Sequence, residues 1–264
     1  MMMRTATSKT PVFLIGGGWS DASIKSTYGA FIKRASSNGA RKIAIILATD
    51  NPEEILQTES TYRNVFKRCG VQDHELSFFW GGPDKEIQFD DLIGSVPTGV
   101  FVGGGTTPLY HDLLCKDLSW LDYIISNQIP FAGFSAGAAL AAEQAILGGW
   151  KVQVGPREIE VLDEDLSEGL DSLAVRPGLG LVPFSVDVHA SQWGTVTRLM
   201  HAVDLKMVPQ GWAIDENTML HIENGQLNIS GLGQAYHLLR EEAATIITRI
   251  YRSGFKLGAG GSQD

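Results

Sequence analysis

The chain is poor in cysteine: Cys69 and Cys115 are the only two in 264 residues, they lie far apart, and they form no CxxC pair. That argues against a disulfide framework or a cysteine-based zinc site, and it suits a reducing cytoplasm. Long apolar runs are missing as well. The first, Val12 to Ile15, stops after four residues at Gly16-Gly17-Gly18, too short for a signal h-region or a membrane span. Positive charge is sparse, with 21 Lys and Arg against 30 Asp and Glu, a net charge of −9, and no basic cluster able to neutralise a phosphate backbone. These features predict a soluble, cytoplasmic protein that binds neither nucleic acid nor membrane. Nucleotide fingerprints are absent too: Asp21 stands where the last glycine of G-x-G-x-x-G would fall, and no GK[ST] occurs.

What is present is apolar and glycine-rich, with 44% hydrophobic residues and 30 glycines. Val12 to Ile15 reads as a strand, Ser20 to Ser36 as a helix ending near Asn38-Gly39, Lys42 to Thr49 as a strand, Pro52 to Cys69 as a helix and His74 to Trp80 as a strand. Gly99 to Val102 follows as a strand ending in Gly103-Gly104-Gly105, then a helix over about 108–127, then a strand from Ile129 to Phe134. Near-continuous apolar strands separated by helices imply an α/β fold with a mostly parallel sheet covered on both faces. Trp150 to Pro177 reads as an acidic, loop-like stretch. Gly211 to Ile214, Met219 to Ile222 and Leu227 to Ile229 read as strands, the last two joined as a hairpin. With no repeat or linker, 1–264 is expected to form a single domain, with 1–10 and 258–264 as mobile tails.

Gly133-Phe134-Ser135-Ala136-Gly137 matches G-x-S-x-G, in which a serine sits on a tight turn and flanking glycines remove the side chains that would collide there. An apolar strand precedes it, and the helix formers of Ala138 to Ala145 follow it. Ser135 is therefore the expected nucleophile, and the amide of Ala136 would lie at a helix N-terminus, suited to stabilise an oxyanion.

The segment Gly133 to Ala138, together with Phe101 to Thr107 (FVGGGTT), resembles peptidase family S51, which contains cyanophycinase and aspartyl dipeptidase. Pro177 to Pro183 leading into Asp187-Val188-His189-Ala190-Ser191-Gln192 resembles the family segment that delivers the catalytic histidine, and Gly211 to Thr218 resembles the acidic strand that follows it. The resemblance implies a three-layer αβα sandwich, flavodoxin-like and related to class I glutamine amidotransferases, with serine where those enzymes carry cysteine. It implies cleavage beside an aspartyl residue of a small peptide without metal or cofactor, and a homodimer.

The same resemblance assigns His189 as general base and Glu216 as the acid that orients it; Asp215, Asp187 and Glu158 remain alternatives for the acid. Gly104 or Gly105 would supply the second oxyanion donor beside Ala136. Thr106, Thr107, Asp187, Val188, Trp193 and Arg198 are expected to touch substrate. Trp193 and Thr195 stand where family members that cleave β-aspartyl-arginine carry arginines, which predicts a less acidic or more apolar substrate group. Arg157 to Asp171 holds seven carboxylates and one arginine; it reads as a solvated loop, the alternative being attraction of a basic leaving group. Two rival functions share these features: an α/β-hydrolase esterase using His221 or His237, and a catalytically silent peptide-binding protein on the same scaffold.

Overall fold

The strict alternation of strand side chains decides the layering. In the computed structural model, which describes residues 10–37, 39–241 and 245–257, β1 (Val12–Ile15), β2 (Ile43–Ala48), β3 (Leu76–Gly81), β4 (Gly99–Val102) and β5 (Phe131–Phe134) form a parallel run in the order β1-β5-β4-β2-β3. Between them lie α1 (Ile24–Ala35), α2 (Ile55–Arg68), α3 (Phe89–Gly94), α4 (Thr107–Leu114) and α5 (Ser119–Ser126). Phe13, Ile15, Ile45, Leu47, Phe101 and Phe134 point to one face, against Tyr28 and Phe31 of α1 and Tyr62 and Phe66 of α2. Val12, Leu14, Ile46, Val100, Val102 and Phe131 point to the other, against α4 and α5 through Tyr110, Leu114, Trp120 and Ile124. A strand buried on both faces must be apolar at every position, and β1, β2, β4 and β5 are.

Two expected helices are shorter than predicted. The helix over 108–127 is broken between α4 and α5, where the Asp117 carboxylate accepts from both the amide and the hydroxyl of Ser119 and starts a new helix. After Ser135, α6 (Ala136–Leu140) stops where the Leu140, Ala141 and Ala142 carbonyls accept from the amides of Leu179, Leu181 and Gly180. Tertiary hydrogen bonds thus override the helix propensity of the AALAAEQA run.

The acidic stretch is not a loop throughout. β6 (Gln144–Gly148) pairs with β9 (Ala174–Pro177), and β7 (Lys151–Val154) with β8 (Arg157–Glu160), as two antiparallel ribbons. A second sheet was not foreseen either. It comprises β10 (Ser185–Val188), β11 (Gln210–Ile214), β14 (Gln234–Arg240) and β15 (Ile246–Arg252), backed by α7 (Val196–Asp204). The Asn224-Gly225 hairpin joins β12 (Thr218–Glu223) to β13 (Gln226–Gly231) as expected; β12 extends the main sheet antiparallel to β1, and β16 (Lys256–Leu257) closes that edge. The tails expected over 1–10 and 258–264 lie outside the described residues, except Thr10, which is buried.

Candidate active site

β5 ends at the C-terminal edge of the parallel strands, and the chain reverses there within one residue. Ser135 adopts φ 51° and ψ −114°, a conformation that L-residues with a side chain rarely hold. Both flanking glycines are required: a Cβ on Gly133 would overlap the Gly137 carbonyl, and one on Gly137 would overlap the Val102 carbonyl. The turn thrusts the hydroxyl upward from the sheet.

His189 follows β10 directly and Glu216 lies two residues past β11; these strands are parallel neighbours, with Val188 opposite Ile214. Ser135 Oγ lies 2.8 Å from His189 Nε2, and His189 Nδ1 lies 2.8 Å from Glu216 Oε1. With its proton on Nδ1, the imidazole donates to Glu216 and leaves Nε2 to accept from the serine hydroxyl. The end of β1 and the turn after it tie together the three segments that carry these residues. The carbonyls of Ile15, Gly16 and Gly17 accept from the amides of Ser135, His189 and Asn217, at 2.9, 2.9 and 2.7 Å. Trp193 stacks on the His189 ring, with centroids 3.7 Å apart and planes 7° from parallel.

Burial holds the His189 pKa below the ordinary imidazole value, against the opposing hydrogen bond and charge of Glu216. The imidazole is therefore neutral at neutral pH and able to accept a proton. Activity should rise with pH to a plateau, with its acid limb centred below the usual imidazole range. Replacing Glu216 with Gln removes what raises the pKa, so the limb should move to still lower pH while the plateau falls by about 10²- to 10⁴-fold. A pH profile of Ser135 modification by a fluorophosphonate reads both effects; a limb that moves upward would contradict the assignment.

The other candidate acids are engaged elsewhere. Asp215 accepts from the Ser191 amide, the Ser191 hydroxyl and the Gln234 amide. Asp187 forms a buried pair with Arg198, at 2.9 and 2.7 Å, and Glu158 pairs with Lys151 on β7. The histidines of the esterase reading are engaged elsewhere: His221 stacks on Phe13, and His237 stacks on Trp212 beside Gln210.

Four sequence expectations are corrected. The Gly104 amide donates to the Tyr62 hydroxyl at 2.9 Å, which leaves the amides of Gly105 and Ala136 as the unengaged donors of the expected set. Asp187, Val188 and Arg198 are buried and do not line the cavity, because the arginine folds back onto the aspartate instead of reaching outward. Thr107 is buried as well, and its amide donates to the Glu168 carboxylate at 3.0 Å. The acidic segment is only partly solvated, since Asp165, Leu166 and Glu168 reach the cavity wall.

That cavity, of about 760 Å³, opens over Ser135 and His189. Gly104, Gly105, Thr106 and Trp193 line it, joined by residues that the sequence reading passed over: Trp19, Tyr62 and a polar face of α2. Gln57, Thr58 and Thr61 on that face were indistinguishable from an ordinary solvent-exposed stripe. Burial raises the Glu168 pKa, opposed by the Thr107 hydrogen bond and the charge of Arg198. Among the described residues no group of His, Cys, Asp and Glu is arranged to hold a metal ion, and no helix is long and apolar enough to cross a membrane.

Residues 12–230 match the model of peptidase family S51. The chain belongs to that family. It is 27% identical over 238 residues to the cyanophycinases of Nostoc sp. and Trichormus variabilis, spanning 88% of this chain and 74% of each relative. Its fold is similar to that of a peptidase from an acI-B1 actinobacterium, with a TM-score of 0.68 at 17% identity, covering 94% of this chain and 96% of the other. Family membership makes the S51 chain a hydrolase acting on peptide bonds and suggests a peptide as its substrate.

Proposed function

We propose that this S51 peptidase is a serine amidase of aspartyl dipeptides or short aspartyl peptides, α- or β-linked, acting through an acyl-enzyme on Ser135. The observation that carries the proposal is the Ser135–His189–Glu216 chain of 2.8 Å contacts at the base of the cavity. Ser135 Oγ attacks the amide carbonyl while His189 takes its proton; the imidazolium, held by Glu216, then protonates the leaving amine. Water activated by the same histidine hydrolyses the ester. Gly105 and Ala136 amides stabilise the oxyanion in both steps. The two free thiols, Cys69 and Cys115, accord with a cytoplasmic setting.

The cavity wall favours a peptide that also carries a cationic group. Glu54, Asp165 and Glu168 line it together with Trp19, Tyr62 and Trp193, and among the described residues no Lys or Arg does. Replacing Glu168 with Gln should lower kcat/KM for an aspartyl-arginine peptide relative to aspartyl-alanine by about tenfold, measured on matched substrates; an unchanged ratio would remove Glu168 from recognition.

The test of the reaction incubates wild type and Ser135→Ala with α-Asp and β-Asp dipeptides, β-Asp-Arg, glutamine and a short-chain ester, and follows products by mass spectrometry. Serine-dependent cleavage of aspartyl peptides is the expected result. Turnover of the ester alone would replace the proposal with an esterase.

A further inference from the structure

We propose that the hydroxyl of Tyr62 is a donor to the oxyanion, taking the place that the Gly104 amide would fill; this rests on the acyl-enzyme reading above. Gly104 lies against the reaction centre: a Cβ added there would sit 3.0 Å from the Ser135 Cβ. Yet its N–H is directed at the Tyr62 oxygen, 2.9 Å away. An amide committed to that bond is a poor donor to anything else.

The phenol is placed to act in its stead. Tyr62 projects from α2, is 1% exposed, and lines the cavity with Ser135 and His189. Its oxygen accepts from Gly104, but among the described residues no carbonyl, carboxylate or hydroxyl receives its own proton. Tyr110, on the other side of the same turn, is different: its hydroxyl accepts from the Ala48 amide and donates to the Gly104 carbonyl, so both of its roles are taken. Accepting a hydrogen bond polarises the O–H of Tyr62 and strengthens it as a donor. Desolvation holds its pKa well above the ordinary tyrosine value, so the proton stays in place. Trp19, Phe101 and Phe134 pack around the ring at 5.2, 5.5 and 6.1 Å between centroids and fix its position.

In the acylation step the Ser135 Oγ–carbon bond forms, the carbonyl π electrons move to oxygen, and Tyr62 donates a hydrogen bond to that oxygen without transferring its proton. Gly105 and Ala136 complete the set. When the carbonyl re-forms, the leaving amine departs with the proton from His189, and Tyr62 is unchanged.

The test is Tyr62→Phe, which keeps the ring and its packing, removes the donor and releases the Gly104 amide. The readout is the second-order rate at which a fluorophosphonate modifies Ser135, since its phosphoryl oxygen occupies the oxyanion position, with the melting temperature measured alongside. The expected result is a fall of at least about tenfold with a near-unchanged melting temperature. A rate equal to or above wild type would show that the freed Gly104 amide suffices, and would overturn the role of Tyr62 alone. Failure of wild type to react at all would overturn the serine reading, and this proposal with it.

Discussion

Ser135→Ala is expected to lower turnover of a confirmed peptide substrate by at least about 10⁴-fold while leaving the fold intact, because the side chain removed is a partly buried hydroxyl on a turn whose shape is set by Gly133 and Gly137. His189→Ala should cost about as much, and the double variant no more than either single one. Residues that act as one unit fail together, so their losses do not add. Single-turnover rates and melting curves for the three variants check this. Additive losses would mean that Ser135 and His189 act in separate steps.

Gly17→Ala is expected to be nearly as damaging, although Gly17 makes no contact through a side chain. Its φ is +112°, and a Cβ there would lie 2.6 Å from His189 Nδ1 and closer still to Cε1. The ring would have to rotate away, breaking its bonds to Ser135 and Glu216. The expected loss in the rate of Ser135 modification is about 10²- to 10³-fold, on the scale set by a misplaced catalytic group. Gly70→Ala supplies the comparison: Gly70 also has positive φ, +82°, but nothing lies within 4 Å of its added Cβ. That variant should lose about 1 kcal/mol of stability by denaturant titration and keep its reactivity. Equal reactivity in both variants would show that backbone strain, and not the closeness of Gly17 to His189, sets the behaviour of this turn.

The Gly16-Gly17-Gly18 turn also shows where the sequence stopped being informative. As a string it fits no nucleotide-binding pattern. Its function is steric and backbone-directed: three successive carbonyls, from Ile15 to Gly17, hold Ser135, His189 and Asn217, which come from three distant parts of the chain. No local signal encodes that convergence.

The sequence by itself determined the parallel α/β core, because strands buried on two faces must be apolar throughout, and β1, β2, β4 and β5 are. It also determined the sharp turn that carries Ser135, because a residue on so tight a turn needs glycine at both flanks. His189 and Glu216 were legible through the family's motifs and their order along the chain. Only the tertiary structure separated Glu216 from its neighbour Asp215, by bringing one carboxylate to His189 and turning the other to Ser191 and Gln234. It alone decided that Asp187 and Arg198 would satisfy each other, that Tyr62 would occupy the Gly104 amide, and that Glu168 would reach the cavity wall. It also formed the second sheet from short strands scattered between Ser185 and Arg252. Strand burial and tight turns are local demands that each residue must meet wherever it sits. Which polar group meets which depends on distances that exist only once remote segments have packed.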